Sequence, residues 1–464
     1  FTNFTAGELS PRLAGRTDVN KYFNGCSRLE NFVIHPHGGA SRRPGTKFIA
    51  SVKTAANATR LIPFEFSVTQ TYVLEFGNTY FRIYKDGGQV TSSGSAVEVS
   101  SPYTTADLDT IKFTQSADVM YLVHPDHSPR VITRSSHTAW TMSEVDFRRG
   151  PMQDENTTAT TLVSNGRTGS VTVTASADLF AATDVGRIVK LHEGYAKITA
   201  FTNATTVTAA VQENTEGRTE LMPSYNVSTI AFAEGDPSST GLEHNDRITD
   251  AASGFITQGF AVNQLVTITG ASNSGNNVTS KLIVQVTADT ILFAPSVDLV
   301  NETAGQSVTI VGVLTASTSW SLGAFSTTTG FPSCVSFFEE RLVFANTATA
   351  PQTLFFSVSG DFTDFADGTT SGSSLTYTIG SNQVNVIRYL VAARSLIVGT
   401  SGGEYAVSAS GSPEPLSPTN AQIKRQTTYG SADIQPVQVG NVTLFVQRAK
   451  RKIRELIYNF DADS

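Results

Sequence analysis

The sequence predicts an all-β protein: a β-propeller, complete or incomplete, interrupted by an insertion of one or two small β-barrel or sandwich modules. Three observations predict it. Only 16% of the 464 residues are charged, against about 25% in ordinary globular domains. Thr, Ser, Val and Gly are plentiful and 28 Phe can fill sheet cores, the usage of a strand-and-turn protein. A meander unit of three or four strands recurs along the chain, and one gap of about 170 residues between copies is far longer than an ordinary loop.

Composition also bounds the function. A chain of 464 residues starts from two or more domains. A net charge of -7 does not indicate a nucleic-acid binder. Cys26 and Cys334 make no disulfide framework, which fits a reducing compartment or one that is immaterial. No apolar run approaches the roughly 18 residues that span a bilayer, and no basic-then-apolar leader opens the chain. Starting at Phe1 and stopping just after a strand, the chain reads as a fragment or a processed product.

Residues 1–59 read as an N-terminal arm with strands. Residues 1–22 are polar and Gly-rich, an extended arm or a short helix. Strands are expected at 31–35 and 46–50, around a Pro-His-Gly-Gly turn and the corner Arg42-Arg43-Pro44-Gly45. Residues 60–150 carry the first two meanders, as the leading propeller segment. The first is RLIPFEFS, TYVLEF, a Gly77-Asn78 turn and YFRIY; the second is TIKFT, VMYLV, the turn His124-Pro125-Asp126-His127, a strand near 130–133 and a last one around Trp140. Alternating apolar residues bounded by Gly, Pro, Asn and Asp are the mark of antiparallel strands.

Residues 320–464 hold three further copies, as the trailing propeller segment. The third is PSCVSFFEERLVFANTATAPQTLFFSVSGD. The fourth runs through 384–391, SLIV and 404–408, and the fifth through 434–439, VTLFV and 453–458, with a basic turn at 448–452. Second strands begin near Thr71, Val119, Leu342, Ser395 and Val442; outside the long gap they are spaced by about 50 residues, the range of propeller blades. A small sheet cannot bury both faces alone, and radial stacking of several does so. Unrelated hairpins in sandwiches are the plainer alternative.

The insertion, 151–319, repeats internally. In 178–211 and again in 250–294 an aromatic, a Gly corner, a strand, a polar turn and a second strand precede a last strand led by Thr. The junction 213–245, with Pro223 and Pro237, reads as loop.

No constellation carries catalysis. Gly399-Thr400-Ser401-Gly402-Gly403 spells a nucleophile elbow, which needs a strand-to-helix turn; here strand runs into strand. His35 and His37 lack a third nearby metal ligand. Asp361, Asp364 and Asp367 are spaced by three, wrong for a calcium loop, and are expected to cap turns. Glu339 and Glu340 are adjacent, so in a strand they face apart. Eight Asn-x-Ser/Thr triplets, at Asn3, Asn57, Asn156, Asn203, Asn226, Asn277, Asn301 and Asn441, reflect an Asn- and Thr-rich composition unless the chain is secreted. Two basic clusters stand out: Arg42-Arg43, and the run Arg448 to Arg454. If extended, the second puts Arg448, Lys450 and Lys452 on one face. It is either a contact patch or a solvated hairpin tip. Arg42, Arg43, Lys450, Arg451 and Lys452 are taken as candidate subunit contacts.

The opening run GELSPRLAGRTDVNKYFNGCSRLENFVIHPHGGASRRPGTKFIA resembles the start of the tail nozzle proteins of short-tailed phages, also called tail tubular protein B. The shared features are the Gly-Glu-Leu-Ser-Pro opening, the Tyr-x-x-Gly-Cys step and the Arg-Arg-Pro-Gly-Thr corner. The runs FPSCVSFFEERLVFANTATAPQTLFFSVSGDFTDF, VGTSGGEYAVS, PTNAQIKRQTTYGS and VQVGNVTLFVQRAKRKIRELIY are similar to the same family, as is the module at Asp184-Val185-Gly186-Arg187. Family members usually continue past the point where this chain stops, which leaves closure of the propeller open.

The resemblance implies a structural virion protein, assembled in the host cytoplasm. It implies a homo-hexameric ring below the portal and adaptor that extends the channel for outgoing double-stranded DNA and anchors fibres or spikes. It implies no catalytic residues, cofactor, metal or small-molecule substrate. DNA would pass without sequence-specific binding, so the lumen is expected to be acidic or neutral; a basic lining would grip phosphates. The competing reading is an extracellular adhesin or carbohydrate-active propeller, which needs paired carboxylates in an aromatic-lined pocket. A weaker third is an acyl hydrolase at Ser401.

Overall fold

Five antiparallel meanders follow one another along the chain, and two inserted sheets separate the second from the third. The structure is a computed structural model. It describes residues 3–457 apart from 193, 216, 237, 239–240, 242–243, 296, 381–383 and 411–413. Pro237 and Tyr458, named above, lie outside the described residues. The chain forms two compact units: one of residues 1–55 with 87–89, the other of the rest.

In the smaller unit, Phe32–Ile34 pairs with Ala40–Arg42, and Gly7–Glu8 pairs in parallel with Gly25–Cys26. The expected partner strand at 46–50 does not form. His35 N–H donates to Gly39 O at 2.8 Å and Gly38 takes φ 99°, so the Pro-His-Gly-Gly turn closes a hairpin at once and Ala40–Arg42 becomes the partner. Among its described residues this unit buries no hydrophobic side chain, and Phe23, Phe32, Phe48 and Ile49 are exposed.

The first meander comprises Arg60–Ser67, Gln70–Gly77, Tyr80–Lys85 and Glu98–Ser100; the second comprises Lys112–Ser116, Val119–His124, His127–Arg134 and Trp140–Glu144. The third is Cys334–Phe338, Arg341–Ala345, Thr353–Phe356 and Leu375–Thr378; the fourth is Ile387–Ala392, Leu396–Thr400, Glu404–Ala409 and Ala421–Thr427. The fifth has three described strands, Val437–Val439, Val442–Val446 and Ile453–Ile457.

Period-two alternation decides how these sheets stack. Met120, Leu122 and Ile132 face one way and share a core with Phe64, Leu74 and Phe81 of the first meander. Tyr121 and Val123 face the other way and share a core with Val335, Phe344 and Phe355 of the third. The opposite face of the third meander, with Val343, Leu354 and Phe356, packs against Leu396, Val398 and Val407 of the fourth. The second and third sheets thus each supply one wall to each of two cores. First strands also meet: Gln115 and the Glu65 backbone exchange two hydrogen bonds of 3.0 Å. Lys112 Nζ donates to Arg388 O at 2.5 Å and to Asp433 Oδ1 at 2.5 Å.

The inserted sheets are nested, one within the other. The six-stranded sheet runs Leu162–Ser164, Ser170–Ala175, Thr206–Gln212, Gly194–Asn203, Ile188–Leu191, Trp320–Leu322. Its last strand comes from beyond 319: Trp320–Leu322 pairs with Ile188–Leu191, and Trp320 and Leu322 fill that core. The boundary expected at 319/320 therefore cuts a sheet. The seven-stranded sheet runs Ser224–Val227, Val308–Gly312, Leu265–Thr269, Lys281–Val286, Thr290–Phe293, Arg247–Asp250, Ile230–Ala233. Only residues 228 and 229 join its first strand to its last, so the sheet must curl back as an open barrel. Phe255, Phe260 and Phe293 fill it. The junction expected to be loop supplies two of these strands, because Tyr225, Val227, Ile230 and Phe232 alternate once Pro223 is passed.

Candidate functional site

Polar side chains converge at several places among the described residues of the larger unit, and three stand out. The first is the seam where the insertion leaves and re-enters. Arg148 pairs with Asp361, and Arg149 makes a two-pronged contact with Asp364, its Nε donating to Oδ1 at 2.9 Å. Lys190 Nζ reaches Asp367 at 3.0 Å. The three aspartates spaced by three each take a cation from a segment about 180 to 215 residues away. Two of them also cap turns, as expected: Asp361 Oδ1 accepts from Thr363 N–H and Oγ1, and Asp364 Oδ1 from Ala366 N–H. Burial works to raise the Asp361 pKa, but the Thr363 bonds and the Arg148 guanidinium outweigh it and hold the carboxyl below the usual range. Behind the seam, buried Arg187 donates to Asp184 Oδ1 at 3.0 Å, Gln153 Oε1 at 2.6 Å and Gly323 O at 2.7 Å. A cleft of 210 Å³ opens there among Phe147, Pro151, Arg187, Lys197 and Phe325; Glu144 is the sole carboxylate among its described walls.

The second place is Lys112, where three sheets meet. Burial pushes the Cys334 thiol pKa up, so the sulfur 3.5 Å from Nζ is a neutral acceptor and Asp433 carries the countercharge. Cys26 and Cys334 are both free thiols.

The third place was not singled out from the sequence. His124 and His127 flank a two-residue turn and are register partners, so their rings lie side by side with centroids 5.0 Å apart. Asp107, from the loop before the second meander, completes the group. Its Oδ2 lies 3.2 Å from His127 Nε2 and its Oδ1 3.8 Å from His124 Nε2. Thr104 anchors Oδ2 through its N–H at 2.7 Å and its hydroxyl at 2.8 Å. Burial lowers the His124 pKa, and the neighbouring His127 lowers it further, against the pull of Asp107 and Asp126. Tyr103 walls the group edge-on, 5.2 Å from the His127 ring. The spacing His-x-x-His across a tight turn was the available signal; nothing in the sequence placed Asp107 beside it.

The residues singled out from the sequence are placed as follows. Arg42 ends the strand Ala40–Arg42, and Arg43 Nε donates to Asn31 Oδ1 at 2.9 Å. Lys450, Arg451 and Lys452 are exposed in a hairpin turn, with Lys450 at φ 55° and its N–H on Gln447 O at 2.7 Å. The backbone there is folded, not extended, so the one-face alignment of Arg448, Lys450 and Lys452 does not hold. The Gly399 to Gly403 run is a hairpin between paired strands. A Cβ at Gly399 would stand 2.2 Å from the Tyr389 ring, so this glycine makes room for that side chain. Glu339 and Glu340 form a two-residue turn, at φ 46° and 58°. His35 Nε2 lies 2.8 Å from Ser41 Oγ. At Asn3, Asn156 and Asn203 the amide oxygen takes the N–H and hydroxyl of the Thr two residues on, so these triplets work as self-closing turns.

No family model matches the chain, and no curated protein matches it. It is similar in structure to the computationally designed protein Ika8, at 8% identity over 85% of this chain and 82% of that one, with a TM-score of 0.23. It is similar also to an uncharacterized protein of Listeria monocytogenes, at 8% identity over 89% of this chain and 98% of that one, with a TM-score of 0.17. At such TM-scores neither likeness carries an argument.

Proposed function

We propose that the chain is a tail nozzle subunit of a short-tailed phage, with the meanders arranged as propeller blades, forming a hexameric ring around the DNA exit channel. The observation that carries this reading is the set of sequence runs that resemble that family, from the Gly-Glu-Leu-Ser-Pro opening to VQVGNVTLFVQRAKRKIRELIY. Charge distribution supports it. Residues 1–55 hold eight Lys or Arg and three Asp or Glu, a net of +5; the other residues hold 25 and 37, a net of -12. A basic arm whose described residues bury no hydrophobic side chain, carried on the same chain as an acidic body, suits heterologous contacts that close into a ring. Arg42 and Arg43 sit on that arm. A lumen lined by the acidic body would let DNA slide. Adaptor and fibre or spike proteins are the other partners of this reading.

Electron microscopy of the purified protein, alone and with its tail partners, is the test. A six-fold ring with an axial hole is expected. A monomer in both samples, or a ring with a strongly basic lumen, would sink the reading. Charge reversal at Arg42 and Arg43 is expected to reduce ring assembly. Reversal at Lys450, Arg451 and Lys452 tests the second patch separately.

A further inference from the structure

We propose that Asp107, His124 and His127 bind one divalent transition-metal ion of the zinc class. Two neutral imidazoles and one carboxylate are the donor set that suits such ions. The spacing agrees with the chemistry. Two ligands about 2.1 Å from one ion at a tetrahedral angle stand about 3.4 Å apart. Asp107 oxygens stand 3.2 Å from His127 Nε2 and 3.8 Å from His124 Nε2. One donor atom of each residue lies within 4.8 Å of the other two. The support is rigid on two sides: the histidines are register partners on a strand hairpin, and Thr104 holds the carboxylate. His124 is buried, while Asp107 and His127 are partly exposed and leave a way in.

The protons can be followed. Without an ion, His124 Nδ1 accepts the Asp126 N–H at 3.1 Å, so the neutral ring carries its proton on Nε2. An ion on Nε2 requires the proton on Nδ1. The Asp126 carboxylate stands 4.0 Å from Nδ1 and can accept that N–H after a small ring rotation. This is the carboxylate–histidine–metal arrangement that raises ligand basicity. Asp126 is therefore a positioning residue. The ion would tie the loop before the second meander to that meander's hairpin.

The test uses the whole chain, stripped with a chelator and titrated with Co²⁺ and then Zn²⁺. One equivalent of Co²⁺ is expected to bind with visible d–d bands, and Zn²⁺ to displace it. Asp107→Asn and His127→Gln should abolish these bands while metal-free melting and circular dichroism stay like the parent. Asp126→Asn should weaken binding by roughly 10- to 100-fold. The double variant His35→Ala, His37→Ala removes the other His pair and should change nothing. Absence of saturable uptake at one equivalent overturns the proposal. So does uptake that survives Asp107→Asn and His127→Gln, or that vanishes with His35 and His37. If either ligand variant misfolds, the Asp126→Asn affinity decides, with an unchanged value counting against the site.

Discussion

The third and fifth meanders use the same strand grammar but lie in different surroundings. In the third, every residue of Arg341–Ala345 and Thr353–Phe356 is buried. In the fifth, every residue of Val437–Val439 is exposed, and Ile453–Ile457 alternates between exposed and half-buried. Phe445 and Thr443 face inward, Phe445 against Tyr389, while Val437, Val439, Ile453 and Ile457 face out. The difference is the number of covered faces. A sheet buried on both sides reads as a continuous apolar run, and one buried on a single side as alternation. Burial, not strand propensity, should therefore set the mutational cost.

The largest effect is expected at Phe344, which is fully buried in the core shared by the second and third meanders. Phe344→Ala should cost about 3–5 kcal/mol, and Ile453→Thr, on the open face of the fifth, no more than about 0.5 kcal/mol. Chemical denaturation of both variants measures the gap; equal costs would mean that the fifth sheet is covered as well. Next is Gly399→Ala, which drives a methyl into Tyr389 where the fourth and fifth sheets meet. It should cost about 1–3 kcal/mol, and Tyr389→Ala in the same chain should make the added methyl harmless.

Acid tests the seam beside the third meander. The folded Asp361 carboxyl titrates below its usual value. Its contribution is therefore present above the unfolded pKa of about 3.9 and is lost as pH falls through the lower folded value. Asp361→Asn should lower stability at neutral pH and leave a shallower loss below about pH 4. Melting curves across that range decide it, and parallel pH profiles for parent and variant would refute the assignment.

Much of this contrast was legible in the chain. CVSFF, RLVFA and TLFF are nearly all apolar, and Phe344 and Phe355 alternate with Val343 and Leu354, so two buried faces follow from period two alone. VQV and IRELI alternate, but Val437, Val439, Ile453 and Ile457 lie on the exposed face, so period two separated the two faces of the fifth sheet without showing which one is covered. The seam was not legible. Arg148 and Arg149 meet Asp361 and Asp364 across the whole insertion, Lys190 meets Asp367 from within it, and only the closed fold brings them together. Asp107 stayed hidden for the same reason, since its partners lie beyond a full strand. Trp320–Leu322 looked like the return to the meanders because a strand carries no mark of which sheet it joins.

The smallest effect separates local backbone cost from burial. Glu340 in the third meander and Lys450 in the fifth both hold positive φ, 58° and 55°, in hairpin turns. A side chain there costs about 1–2 kcal/mol, and glycine returns some of that as chain entropy, roughly 0.5–1 kcal/mol. Glu340→Gly and Lys450→Gly should thus each stabilise by roughly 0.5 kcal/mol. Because the strain lies in the turn's own backbone, the gain should be the same in the buried sheet and in the open one. A gain at Glu340 with a loss at Lys450, read from paired denaturation curves, would show instead that the Lys450 side chain makes a stabilising contact at the hairpin tip.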